Sequence, residues 1–210
     1  MMTDPFIVHT PEQLTPESIA QNFVEMYTDF PKLKEPVNMF IHGARGAGKS
    51  IMLRSLELPV QRLLQSHSEL TFFAIHVPIK RSFFSNPEYL RLKDWKGTAI
   101  GEHLLCVYAL QYIFSAVQEL PQSPSSQFFQ EFSEIWEDCG GKPQVEEILS
   151  AKSFDNLARF CSRENSRVRQ YYVRLPATGE NPIYSGALAS FADCLLPTIQ
   201  LLQKDIFKHD

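Results

Sequence analysis

The chain is poor in everything that would mark a metal protein or a secreted one. Its cysteines, Cys106, Cys139, Cys161 and Cys194, are widely spaced, with no C-x-x-C pair and no histidine at ligand spacing. That argues against a zinc site or a disulfide framework and for reduced, mostly buried thiols. Charge of one sign is also lacking: 20 Lys and Arg against 24 Asp and Glu leave a net charge of −4, so nothing pulls the whole molecule towards nucleic acid. Only a local basic patch could do so. Residues 1–10 carry Asp4 and no basic stretch followed by an apolar one, which excludes a signal peptide. No apolar run approaches the roughly 20 residues that span a bilayer, so no membrane partner is expected. There is no internal repeat. A composition of 44% hydrophobic and 21% charged residues in a chain of 210 excludes disorder and suits one domain of moderate size. The expectation is a soluble, cytoplasmic protein.

What the chain does have is one strongly patterned stretch. Val37-Asn38-Met39-Phe40-Ile41 is an apolar, β-prone run, and it delivers the chain to His42-Gly43-Ala44-Arg45-Gly46-Ala47-Gly48-Lys49-Ser50. The loop reads G-x-x-x-x-G-K-S, and helix formers begin at once with Ile51-Met52-Leu53-Arg54. Strand, phosphate loop and helix in this order form a Walker A element. Gly43 and Gly48 are expected to turn the backbone where a Cβ would collide, and Gly46 to let the loop N–H groups approach phosphate. The nucleotide contacts are thus expected from Gly43, Ala44, Arg45, Gly46, Ala47, Gly48, Lys49, Ser50 and Ile51. Lys49 is the catalytic candidate, a mobile charge for the β- and γ-phosphates. Ser50 is the candidate Mg²⁺ ligand at the helix start, where the helix dipole adds partial positive charge. ATP and Mg²⁺ are the cofactors this chemistry asks for. His42 at the end of the strand either contacts phosphate or is satisfied by neighbouring backbone, and His76 is read in the same way.

Around this element the chain reads as follows. Thr15 as N-cap and Pro16 at the first helical position predict a helix over 15–28, with Ile19, Phe23 and Tyr27 on one buried stripe. After the loop, Ile51, Leu53, Leu56 and Leu58 continue a buried helix that Pro59 interrupts or redirects. Leu70-Thr71-Phe72-Phe73-Ala74-Ile75-His76-Val77 is a near-continuous apolar run of strand length, completing a right-handed β-α-β unit with both faces covered. From Lys80 to Lys96 basic and aromatic residues mix in a loop or lid, read either as contact with nucleic acid or a partner, or as rings packed inward beneath wet charges. Helices are predicted over 98–120, 126–138, 145–173 with a break near 150–153, and roughly 185–204. The fold class expected is α/β: a P-loop NTPase-type parallel sheet flanked by helices, with a large helical region after the second strand. The domain plan is a helical lead-in over 1–36, a β-α-β core over 37–80 and a mainly helical region over 81–210.

One expected part is missing. A working phosphate-loop ATPase uses an acid at the end of a second buried strand to hold Mg²⁺ and polarise the nucleophile. Phe132-Ser133-Glu134-Ile135-Trp136-Glu137-Asp138 has acids in a helical pattern, and the nearest match, Ala187-Leu188-Ala189-Ser190-Phe191-Ala192-Asp193, also suits a helix better. Either the chain binds nucleotide without hydrolysing it, or the strand with the acid lies beyond the last helix and the sheet is incomplete here.

The run from Phe40 to Leu56 resembles the phosphate loop of AAA-type ATPases related to origin-recognition initiators, bacterial members included. In that group G-x-R-G-x-G-K-[ST] leads into a Met-Leu-Arg-x-Leu helix, and positions 51–56 match it. The resemblance is specific over 37–58 and weaker over 72–80 and 194–202. It implies ATP and Mg²⁺ binding, subunit contacts around the nucleotide in a homo-oligomer or with a partner protein, and in some members action on DNA or in signalling. Nucleic acid as a partner comes from the resemblance alone. The family's Walker B acid, sensor residues and winged-helix module find no match. Arg163, Arg167 and Arg169 are candidates for a finger reaching a neighbour's nucleotide, or else a solvated helix face. The leading function is thus ATP binding as the switch or motor of a larger assembly; alternatives are a non-hydrolysing nucleotide-binding scaffold and, behind it, a small-molecule or nucleotide kinase.

Overall fold

Helices dominate, and each forms for local reasons that the sequence displays. The computed structural model describes residues 13–24, 30–35, 38–44, 46–64, 72–79, 95–175 and 184–207. The chain divides into two compact units, Met1–His76 and Val77–Asp210.

In the first unit, α1 (Pro16–Asn22) starts as its cap predicts: the Thr15 hydroxyl accepts the Ser18 N–H at 3.3 Å, and Pro16 needs no donor there. It ends at Asn22, short of the expected 28, because Phe23 is already extended; Tyr27 lies outside the described residues. A short 3₁₀ turn, Phe30–Lys34, brings Phe30 into a core with Met52 and Leu56, against which Phe23, Leu33, Ile41, Phe72 and Ala74 pack. The helix after the loop, α2 (Lys49–Arg54), stops before Pro59 is reached, and α3 (Leu58–Leu64) carries that proline in its first turn. Proline therefore starts the second helix instead of breaking the first. The kink between them is locked by Ser55 Oγ donating to the Met52 carbonyl at 2.7 Å and Gln61 Nε2 donating to the Ser55 carbonyl at 2.6 Å. Both carbonyls would otherwise lack helical partners.

The expected parallel sheet is not seen among the described residues. Among the described residues no strand forms, and a single parallel bridge pairs Glu57 with Ala74. Residues 38–41 are irregular: Met39 is exposed, Phe40 completely so, and of the apolar side chains here only Ile41 reaches the core. Residues 72–77 are half-buried, not covered on both faces. The physical reason is partnership. A strand is stable only with neighbours on its edges and a packed face, and here the one partner offered to Ala74 is a helix junction.

In the second unit, α4 (Trp95–Val117) packs along α7 (Phe154–Val173). By length and composition Gly97–Val117 is apolar enough to cross a membrane, which corrects the expectation that no such run exists; 56% of it is buried inside the protein. Ile100 and Leu104 meet Val168, Tyr172 and Leu175 in one core. Further along, Phe114, Phe128, Phe132 and Phe154 form an aromatic cluster with ring centroids 5.2–6.4 Å apart. Phe128 and Phe132 come from α5 (Ser126–Asp138), capped by Ser125, whose own N–H and hydroxyl are taken by Asp205. That helix ends in a Schellman turn: Gly140 adopts φ +85° and the N–H groups of Gly140 and Gly141 return to the carbonyls of Glu137 and Trp136. A 3₁₀ turn and α6 (Val145–Leu149) lead to α7, capped by Ser153. The last helix is shorter than expected. Residues 184–190 are not helical, and a π-helical turn, Phe191–Leu195, opens α8 (Leu196–Leu202), which a second π-helical turn, Gln203–Phe207, continues.

Candidate functional site

The phosphate-loop candidates converge in the first unit. Gly43, Ala44, Gly46, Ala47, Gly48 and Ser50 are exposed, Lys49 and Ile51 half-buried, and Arg45 lies outside the described residues. The glycines divide differently from the sequence expectation. Gly46 and Gly48 adopt φ +84° and +78°, and a Cβ on either would meet nothing within 4 Å. Their role is conformational, in the left-handed region where L side chains are strained. Gly43 lacks a positive φ, and a Cβ there would sit 3.6–3.9 Å from Lys49 and Ala47 side chains, an ordinary contact. No collision requires glycine at 43.

Lys49 reaches back over the loop. Its ammonium donates to the carbonyls of Gly43 and Ala44, each at 2.7 Å, so the loop's own oxygens hold the charge in place. The first helical N–H groups of α2 have no intrahelical acceptor, and Gly48, the N-cap, has no side chain to satisfy them. Ala47 N–H closes on the Ala44 carbonyl at 3.3 Å. The result is an exposed, donor-rich turn with a cation folded onto it, an arrangement suited to an anion. The Ser50 hydroxyl is exposed at the second helical position, open to a metal–phosphate complex.

Behind the loop, Arg54 fixes the helix to its surroundings. It forms a two-pronged pair with Glu57 at 3.0 and 3.2 Å and donates to the Leu14 carbonyl at 3.0 Å. Glu57 also faces His76 Nδ1 at 3.4 Å. The acid nearest to the loop in sequence is thus engaged in holding α2, the Glu57–Ala74 bridge and residues 13–15 together. His42 is exposed.

Other candidates lie in the second unit. Asp193, the nearest match to a strand-borne acid, sits in a helix start: Ser190 Oγ accepts the Asp193 N–H at 2.9 Å and donates to its carboxylate at 2.7 Å. That is a serine N-cap, reinforced by the bond between the two side chains. Arg163 and Arg167 both bind Glu147, and Arg167 also binds Glu164 at 2.7 Å, so both are engaged within this unit, as a helix-face reading has it and a free finger does not. The basic-aromatic stretch 80–94 lies outside the described residues.

Sequence reasoning missed a buried polar network between α4, α7 and residues 184–190. His103 Nδ1 accepts the Ala189 N–H at 3.0 Å, which leaves the ring proton on Nε2, facing Glu164 Oε1 at 3.5 Å. Tyr184 donates to the same oxygen at 2.7 Å. Burial opposes the Glu164 charge most strongly, yet contacts from His103, Arg167 and Tyr184 outweigh it and hold the carboxyl at about 2. Burial in turn pushes the Tyr184 hydroxyl up. No short motif announces this network, because its bonds Tyr184–Glu164 and Ala189–His103 join residues 20 and 86 apart.

Comparison with known families points to the class, an AAA-type ATPase-related domain. The family model described as ORC-CDC6-like matches residues 4–210, and the chain belongs to that family. No curated protein and no solved structure gives a match.

Proposed function

We propose that the chain binds ATP with Mg²⁺ through residues 43–51. The observation that carries this reading is the pairing of Lys49 with the carbonyls of Gly43 and Ala44 above an uncapped helix start. A triphosphate would replace those carbonyls as acceptor for Lys49, receive the N–H groups of the first turn of α2, and present its metal to Ser50. Membership of the ORC-CDC6-like family supports nucleotide chemistry of this kind. In this reading nucleotide binding is a switch in a larger assembly, with a second copy or a partner protein beside the nucleotide.

Binding without turnover is the form best supported for this chain. Among the described residues no strand carries an acid to the loop, Glu57 is held by Arg54 and His76, and Asp193 is held by its cap. Calorimetry of wild type and Lys49→Ala with Mg-ATP tests the proposal, with phosphate release followed in the same samples. Saturable binding that the substitution removes, with no release, is the expected result. Equal binding by both proteins, or none by either, would overturn it.

A further inference from the structure

The non-helical residues 184–190 lie against the core that α4 and α7 share, with Tyr184 and Leu188 packed on it and Ala187 and Ala189 buried. They form a strap that leads into the turn Phe191–Leu195, which packs against α4 and α5 and opens the last helix. Ionisable side chains anchor the strap at three places. Tyr184 donates to Glu164 at 2.7 Å, the Ala189 N–H to His103 Nδ1 at 3.0 Å and the Phe191 N–H to Glu102 at 2.9 Å. Leu188 adds a backbone bond to the Cys139 carbonyl at 2.8 Å.

The central anchor holds only while its histidine is neutral. Nδ1 accepts the Ala189 N–H through its lone pair, and a proton on that nitrogen would set donor against donor. The other side of the ring favours the charged form, because Nε2 faces the Glu164 carboxylate at 3.5 Å and both side chains are fully buried. The ring therefore has a partner for its charge once the strap has left.

We propose that His103 is an acid-released latch, holding residues 184–190 when neutral and letting them go when a proton replaces the Ala189 N–H at Nδ1. The groups around the ring are, on α7, Glu164, held at about 2, Arg167 paired with it, and Cys161, raised by burial. On the strap is Tyr184, pushed up by burial, and on α4 are Glu102 and Cys106, the latter pushed up to about 12. On α5 the Trp136 ring stands 6.0 Å from that of His103, and Cys139 ends the helix. Histidine is the side chain that changes charge between pH 5 and 8, so the Ala189 anchor responds there while the bond from Tyr184 to Glu164 stays. The closed latch excludes a proton from Nδ1, and one proton enters as the strap leaves. Linkage then makes opening about tenfold more frequent for each pH unit below the point at which the freed ring titrates.

The test is solution NMR of the full chain between pH 7.5 and 5.5. At pH 7.5 the His103 ring should carry its single proton on Nε2, with the Ala189 amide protected from hydrogen exchange. Towards pH 5.5 the ring should gain its second proton and the Ala189 protection factor should fall about tenfold. Phe132, inside α5, should keep its protection. His103→Asn places an oxygen where Nδ1 stood and has nothing to titrate, so the pH dependence should vanish; Cys139→Ser should leave it intact. The wild-type readings decide alone if a variant does not fold. A ring with its proton on Nδ1 at pH 7.5, a ring that stays singly protonated, or a second proton taken up with Ala189 still protected would overturn the proposal. So would a loss of protection shared equally by Phe132, retained in His103→Asn or abolished in Cys139→Ser.

Discussion

Glu164→Gln removes the charge at the centre of the second unit, and its cost can be worked from the structure. The carboxyl is buried completely and held at about 2 against an ordinary 4.5. A difference of roughly 2.5 units at 1.36 kcal/mol each gives about 3 kcal/mol of stability in the ionised form. The folded value lies below the unfolded one, so this contribution is complete above the unfolded value, near pH 5, and is lost as pH falls towards 2. Linkage places the remainder at about 1 kcal/mol at pH 3. Glutamine keeps the shape and the acceptor for Tyr184 but leaves Arg167 with Glu147 alone. Urea unfolding of wild type and variant at pH 7, 5, 4 and 3 reads the difference. The expected gap is about 3 kcal/mol at pH 7, narrowing to about 1 at pH 3. A gap that is absent at pH 7, or that stays constant across the range, would refute the assignment of Glu164 as a stabilising buried charge.

Gly46→Ala should weaken Mg-ATP binding about tenfold, because about 1–2 kcal/mol of left-handed strain must be relieved by moving the loop, whereas Gly43→Ala should leave affinity within about twofold; calorimetry distinguishes them. Asp193→Ala should cost less than about 1 kcal/mol in urea unfolding, through loss of its exposed hydrogen bond with the Ser190 hydroxyl, and leave nucleotide affinity unchanged. A clear fall in nucleotide affinity in that variant, with the fold intact, would return Asp193 to the nucleotide site.

The sequence made local chemistry legible and long-range pairing not. Thr15 caps its helix as the sequence predicts, since a cap depends on residues three positions away, and Ser125 and Ser153 cap theirs by the same local chemistry. The glycine at 48 and the lysine after it stand where the phosphate-loop pattern puts them, at the start of α2. The sheet failed because apolar, β-prone runs such as 37–41 and 70–77 report a propensity, while strands need partners that no short window contains. Phe40, read as part of a strand, is fully exposed. The same limit hid the Glu164 network, whose members meet only after α4 and α7 have packed. Pro59 left two readings open, since a proline breaks a helix interior but suits a first turn, and the chain's path through Ser55 and Leu56 decides for redirection.

A crystal structure of the chain with Mg²⁺ and a non-hydrolysable ATP analogue tests the central claim most directly. The account predicts that the Lys49 ammonium leaves the carbonyls of Gly43 and Ala44, now 2.7 Å away, and meets the β- and γ-phosphates, with Ser50 on the metal and the N–H groups of α2 on the phosphates. Nucleotide bound elsewhere, or bound while Lys49 keeps both carbonyls, would contradict it.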